Sequence, residues 1–477
     1  MRIQEIELSQ IELPEYGEAT VEPTIPASEY EARIAALRAR AEAAEVDVVV
    51  VYADREHSAN LAFLTAFDPR FEEALLIVAK GYRPLLLVGN EGWDYAKVSP
   101  LDLDVQLYQP FSLLGQDRSR SKSIRALLGE VGVGKGTRVG VVDWKYFEAA
   151  TGPDAALLIN APAYLVDTLR QITGEPVINV TAWLMDAKEG LRAINSVDQL
   201  AAFEFAATCI SNSMRRLLRA LQPGKSEIEV MRAAQHPGLP NSMHPIIISG
   251  PRAALALASP SMRMMQLGEP ISCAMGVWGA LNARAGFLVH DASELPEGIR
   301  DYVDRLVAPY FAAITEWYST VGIGVAGGDM YALVKRHLGD PFFGVGLNPG
   351  HLIHLDEWLH SPIFAGSTQT LRAGMGAHFV IPIEERVELA ARLVETPTPT
   401  CALTLDGAQS LYQTDLRGDV IFMFGNEGAG LSDALAALAG TRVSIPMRGA
   451  VESLNVAAAV SVCCFEKMRQ ELFSAAK

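Results

Sequence analysis

VIFMFGNEGAGLSDALAALAGTRVSIPMRGAVESLNVAAAVSVCCFEKMRQ, residues Val420 to Gln470, combines backbone-loop signals, polar residues and hydrophobic runs in one short stretch. An apolar run, Val420 to Phe424, breaks into Gly425-Asn426-Glu427-Gly428-Ala429-Gly430. The three glycines free the backbone to curve and to present N–H and C=O groups to a ligand, so the pattern predicts a strand ending in a binding loop. A second apolar segment, Val443 to Met447, ends in Pro446-Met447-Arg448-Gly449. Glu452-Ser453-Leu454-Asn455 then opens a small-residue helix expected to run to about Phe473. Two strand-end loops and a helix start are therefore close together in sequence.

These residues resemble the SpoU-type RNA methyltransferases, an α/β family whose domain ends in a deep trefoil knot. The GNEGxGLS loop, the IPM segment and the SLNV turn of that family stand here in order as Gly425 to Ser432, Ile445 to Met447 and Ser453 to Ala457. Leu405 to Asp419 and Leu371 to Phe379 are similar to it as well, so the resemblance covers roughly the last hundred residues. It implies S-adenosylmethionine as cofactor, held by Phe424, Gly425, Asn426, Gly428, Gly430, Ile445, Met447 and Leu454. It implies catalytic roles near a ribose for Glu427, Ser453 and Asn455, no metal, and methyl transfer to a ribose 2′-hydroxyl of structured RNA, rRNA or tRNA. A homodimer built on the last helix is implied too. On physical grounds alone Ser453 and Asn455 also suit helix caps, and Glu427 suits a helix N-terminus. Arg442 and Arg448 read either as phosphate contacts or as solvated surface arginines.

The family's first half carries an Asn-x-Gly…Arg motif whose arginine orients the phosphate. Asn348-Pro349-Gly350 has that opening, but His351 to Trp358 contain no arginine. The resemblance therefore covers a cofactor half that begins midway through its own fold.

Composition sets outer bounds. With 477 residues, 49% of them hydrophobic and 20% charged, two or three globular domains are expected. A net charge of −16 excludes broad adhesion to phosphate backbones, so an RNA enzyme of this composition needs a local basic patch. Five cysteines without a Cys-x-x-Cys spacing make neither a disulfide framework nor a zinc knuckle, and Cys463 and Cys464 read as small core residues of an apolar helix. No signal core or membrane-length apolar run is found, and the expectation is a cytoplasmic protein with no membrane and no DNA partner.

Residues 1 to 27 lack periodicity and read as an extended arm. From Ser28 a helix with apolar Ile34, Leu37 and Ala41 precedes the continuous apolar strand Val46 to Tyr52, which suits a sheet covered on both faces. Runs at Ala74 to Val78, Pro84 to Val88 and Arg138 to Val142 alternate with helical stretches such as Ser121 to Leu128, giving an α/β domain over 28–175 with a mostly parallel or mixed sheet. A second unit opens with a helix over Ser196 to Leu221, where Ser196-Val197-Asp198-Gln199 fits a capping box and Pro223-Gly224 stops the helix.

The text from Arg192 to Ala234, with Asn60 to Phe67, resembles the creatinase and aminopeptidase P family, in which a small α/β domain precedes a pita-bread catalytic domain. Metal-dependent members hold two divalent ions with carboxylates and a histidine, because such ions need anionic oxygen ligands to activate water. Here the two aspartate positions fall on Ala274 and near Ala283, and a glutamate position falls on Pro382. Only His351 remains of that set. In the metal-free creatinase branch the histidine position falls at about Leu257. His351, His354, Asp356, Glu357 and His360 form a dense polar cluster, read either as an altered small-molecule or metal site or as turn caps satisfying backbone groups. Trp278 and Trp358 read as core or pocket walls.

The fold class expected is thus α/β and α+β multidomain: an arm over 1–27, a creatinase-like α/β domain over 28–175, a pita-bread-like domain without metal ligands over 176–370, and a partial α/β knot domain over 371–477. Leu371-Arg372-Ala373-Gly374-Met375 satisfies both families at the junction. The function expected is S-adenosylmethionine-dependent RNA 2′-O-ribose methylation, impaired if the missing first half is not replaced. A divergent metal-independent creatinase or Xaa-Pro peptidase-like hydrolase, and a non-catalytic fusion, stay open as alternatives.

Overall fold

The computed structural model describes residues 17–148, 151–343, 345, 348–356, 359–378, 398–404, 409–425, 431, 436–446 and 456–474. The chain divides into two compact units, with the division between residues 380 and 381.

The larger unit begins with α1 (Ala27–Ala43), β1 (Val48–Ala53), α2 (Ala59–Thr65), β2 (Ala74–Ala79), β3 (Leu85–Val88), α3 (Gly92–Tyr95), β4 (Asp104–Leu107), α4 (Ile124–Glu130), β5 (Val139–Val142), α5 (Ala163–Thr173) and β6 (Val177–Asn179). The strands form one sheet in the order β4-β3-β2-β1-β5-β6, with β2 antiparallel to both neighbours and the other pairs parallel. The sheet is thus mixed, and its last strand lies just beyond residue 175. Strand pleating explains why β1 is apolar at every position. Val49, Val51 and Ala53 pack with Ile34, Leu37, Leu61 and Leu64 on one face, while Val48, Val50 and Tyr52 pack with Leu127, Leu128, Leu165 and Leu169 on the other. Each buried valine of this strand contributes about 1.5–3 kcal/mol, so one polar replacement on either face breaks a layer. The helix expected over Ser121 to Leu128 starts later, because Ser123 takes the cap position and accepts from the Ala126 amide.

The same unit continues through α6 (Ala182–Met185), α7 (Val197–Ala220), α8 (Glu227–Ala233), β7 (Met243–Ser249), β8 (Pro270–Val277), β9 (Ala280–Phe287), α9 (Ala308–Thr320), α10 (Gly327–Leu338), β10 (His351–Leu352) and β11 (Ala377–His378). β7, β8 and β9 form an antiparallel sheet, and β10 pairs with β11. Ile247, Cys273, Met275 and Val277 pack against Ala206, Ile210, Met214 and Leu217 of α7. Ser196 caps α7 by accepting from the Gln199 amide at 3.0 Å, whereas the Gln199 side chain turns to Arg33 of α1. The reciprocal box appears instead at α8, where Ser226 and Glu229 satisfy each other's backbone.

The smaller unit contains β12 (Thr400–Leu403), β13 (Gln409–Ser410), β14 (Ile421–Met423), β15 (Thr441–Ser444) and α11 (Val456–Ser474). Its strands lie in the order β13-β15-β12-β14 and all pairs are parallel. Cys401 and Val443 pack with Leu411, Leu416 and Cys463, while Ala402 and Met423 pack with Leu431 and Leu438. Of the two adjacent cysteines only Cys463 is core; Cys464 is exposed, because consecutive helical positions point about 100° apart. The joining segments 405–408, 426–430, 432–435 and 447–455 lie outside the described residues, and the expected knot falls among them.

Candidate functional site

In a parallel sheet all carboxyl ends open on one edge, and ligands of α/β folds bind there. β12 has β14 on one side and β15 on the other, with Ala402 level with Met423 and Leu403 level with Val443. The segments starting at Phe424 and Ile445 therefore leave that edge from strands separated by one neighbour, about 10 Å apart. Phe424 and Ile445 join one cluster with Val462 and Cys463 of α11, forming an apolar wall beside the strand ends. Gly425 follows Phe424 on the same edge. Asn426, Glu427, Gly428, Gly430, Met447, Ser453, Leu454 and Asn455 lie outside the described residues, as do Arg448, Glu357, Trp358 and Pro382.

Helix α11 is fastened to this sheet by a residue without any motif signal. The Gln470 side-chain oxygen accepts from the Leu416 amide at 2.9 Å, and its nitrogen donates to the Thr414 carbonyl at 2.9 Å and to Glu466 at 2.9 Å. Arg469 holds the largely buried Glu466 carboxyl below its ordinary range. Burial pushes the Cys463 thiol up to about 12 and raises Cys401 as well, so both are inert packing groups. Arg442 donates to the Ala436 carbonyl at 3.3 Å.

The histidine-rich segment of the larger unit does not converge on one point. His351 lies in β10 with Nδ1 2.9 Å from the Leu352 carbonyl. His354 is fully buried between the edges of Phe63 and Phe203, with ring centroids 5.2 and 5.1 Å away. His360 stacks on Tyr146 at 6.2 Å. Asp356 accepts from Arg192 at 2.6 Å. Among the described residues there is no cluster of three or more His, Cys, Asp or Glu side chains placed to hold a metal. Ala274 and Ala283 are direct register partners across β8 and β9, so the two expected aspartate positions do meet, and they meet as a pair of methyl groups. Gly350 of the Asn348-Pro349-Gly350 segment packs against Ile363 and Trp317, and its carbonyl accepts from Ser361.

The SpoU rRNA Methylase family model matches residues 360–465. The carboxy-terminal segment is of SpoU type. Over 114 residues the chain is 37% identical to the 23S rRNA (guanosine-2′-O-)-methyltransferase RlmB of Ralstonia nicotianae, covering 23% of this chain and 46% of that protein. It is 34% identical over 105 residues to RlmB of Pasteurella multocida, covering 21% and 43%. The chain thus spans less than half the length of these curated relatives. The rest of the chain is similar in fold to other proteins. The prolidase of Pyrococcus horikoshii superposes with a TM-score of 0.55 at 14% identity over 72% of this chain and 89% of that one. Dipeptidase PepE of Mycobacterium ulcerans does so with a TM-score of 0.53 at 20% identity over 74% and 88%. The chain is mixed α/β and multidomain, with a creatinase/prolidase fold before the SpoU segment. No helix among the described residues is long and apolar enough to cross a membrane.

Proposed function

We propose that the chain is an S-adenosylmethionine-dependent RNA 2′-O-ribose methyltransferase whose smaller unit supplies the cofactor half of the site. The observation that carries this reading is that β14 and β15, the strands preceding the two motif segments, end on the same edge of a parallel sheet, one on each side of β12. The apolar wall of Phe424 and Ile445 fits the face of a purine ring. S-adenosylmethionine, when bound, supplies an electrophilic methyl group. Gly425, Asn426, Gly428, Gly430, Met447 and Leu454 are assigned to holding it, and Glu427, Ser453 and Asn455 to orienting the ribose hydroxyl. The protein works as a cytoplasmic homodimer paired through α11, whose Phe465 and Met468 are exposed at 65% and 47%.

The prolidase-like part acts as a scaffold, a reading favoured by the alanine pair at positions 274 and 283. Isothermal titration of the purified chain with S-adenosylmethionine tests the proposal, with saturable binding as the expected result. Absence of binding, together with no tritium transfer from labelled cofactor to 23S rRNA transcripts, removes it.

A further inference from the structure

The overall charge of −16 leaves open where RNA could be held. Between Val105 and Glu130 four cations, Arg118, Arg120, Lys122 and Arg125, stand against two carboxylates, Asp117 and Glu130, and Lys122 is paired with Glu130 at 2.6 Å. All four cations are exposed. They contrast with the basic run at Arg215, Arg216 and Arg219 in α7, where Arg215 is buried and Arg216 donates to the Ala234 carbonyl at 3.1 Å.

A buried amide fixes the strip. Gln109, 4% exposed, donates to the Asp117 carbonyl at 2.8 Å and to Asn90 at 3.1 Å, and accepts from the Arg120 amide at 3.0 Å. The Asn90 amide donates to Ser112 at 2.6 Å, which ties the strip to the turn after β3. That turn leads into α3, which presents Trp93, exposed at 43%. Its neighbour Gly92 donates to Glu72 at 3.1 Å, beside Phe71, which is 61% exposed. Arg70 donates to the Tyr95 hydroxyl at 2.6 Å between the same two loops. The anions around the aromatic residues are Asp68, held by Arg70, the buried Glu72, the exposed Glu91, and Asp94, which is paired with Lys97 at 2.5 Å.

Exposed cations that track a backbone, beside aromatic faces on which bases stack, are what single-stranded nucleic acid requires. We propose that this face of the amino-terminal α/β part binds single-stranded RNA, with Arg118, Arg120 and Arg125 on phosphates and Trp93 and Phe71 against bases. Its role in presenting substrate rests on the methyltransferase reading; the binding itself does not.

The test is fluorescence anisotropy of the full chain with a labelled mixed-sequence single-stranded RNA of about 20 nucleotides, longer than one typical binding site. Reversing Arg118, Arg120 and Arg125 together to Glu is expected to weaken binding at least about ten-fold and to reduce the log–log salt slope by about 2, since each phosphate contact on a single strand contributes about 0.7. Trp93→Ala is expected to weaken binding about five-fold or more with an unchanged slope. S-adenosylmethionine titration of each variant runs in parallel and is expected to match the wild type. Equal RNA affinity and slope in the triple variant overturns the proposal. So does a wild type that ignores the RNA; if the triple variant then also changes the oligomeric state, the face belongs to a second copy of the chain. RNA binding that depends on the strip in a chain that does not bind S-adenosylmethionine supports the docking face and removes the methyltransferase reading.

Discussion

Arg192 is fully buried and donates from one end of its guanidinium to Asp356 at 2.6 Å and from the other to Asn60 at 2.7 Å. Asn60 in turn donates to the Asp143 carbonyl at 2.6 Å, so a polar chain links the end of β5 to the histidine-rich segment inside the larger unit. Breaking the chain at Arg192 strands the buried Asn60 oxygen and leaves the partly exposed Asp356 carboxylate without its cation. Arg192→Met is expected to destabilise the larger unit by about 3–5 kcal/mol, because it leaves a carboxylate and an amide unpaired. Asp356→Asn keeps an acceptor at a site that is partly exposed and should have the smaller effect. Urea denaturation of both variants checks the order; a milder effect from Arg192→Met means that the chain is not held through this residue.

His354 predicts acid sensitivity. Burial, then the positive charges of Arg192 and Arg33, holds its imidazole well below the ordinary histidine range, and both ring nitrogens lack a hydrogen-bond partner among the described residues. The charged groups facing it are these two arginines, paired with Asp356 and Glu29. The native state excludes a proton that the unfolded chain takes up near pH 6.5, so stability falls as pH drops below that value and levels off above it. His354→Phe removes this component. Urea midpoints at pH 5 and pH 7.5 should differ less in the variant than in the wild type, and an equal difference rejects the assignment.

The missing carboxylates at Ala274 and Ala283 predict indifference to divalent metal. EDTA and added Mn²⁺ are expected to leave the melting temperature unchanged, because a bound ion would raise it by mass action. A metal-dependent rise in melting temperature would mean that another ligand set has replaced the lost one.

Gln470 predicts a defect confined to the smaller unit. Its side chain satisfies the Leu416 amide and the Thr414 carbonyl, and Gln470→Ala leaves both without their partner at a cost of about 1–3 kcal/mol. Gln470→Glu keeps the acceptor for Leu416 but sets a carboxylate against Glu466 and the Thr414 carbonyl, so it should destabilise at least as much as alanine. Differential scanning calorimetry resolves the effect if the two units melt separately, and the larger unit's transition should not move.

The layers were legible because periodicity reports burial. The run Val48 to Tyr52, unbroken after Asp47, announces two covered faces, and Ile34, Leu37 and Ala41 do line one side of α1. The strand within Val420 to Phe424 was legible as an apolar run, and β14 occupies Ile421–Met423 of it. What the sequence hid is long-range and polar. Nothing near Gln199 says that its side chain leaves the cap for Arg33, 166 residues away. Nothing near Gln470 announces Leu416, and the basic strip at Arg118 to Arg125 reads as ordinary surface until Gln109 is seen to anchor it beside Trp93. The histidine-rich segment is dense only in sequence, because a turn carries His351, His354 and His360 to separate environments.

Asn455 gives the sharpest test of the proposed chemistry. If it orients the ribose hydroxyl and does not hold the cofactor, Asn455→Ala should abolish methyl transfer to 23S rRNA transcripts while S-adenosylmethionine still binds with near wild-type affinity. Asn455→Asp tests the cap alternative, because aspartate caps a helix start as well as asparagine does. Loss of activity in both variants with unchanged melting of the smaller unit supports a role on the substrate. Full activity in the aspartate variant alongside destabilisation in the alanine variant assigns Asn455 to holding the start of α11, and the catalytic role then falls to Glu427 and Ser453.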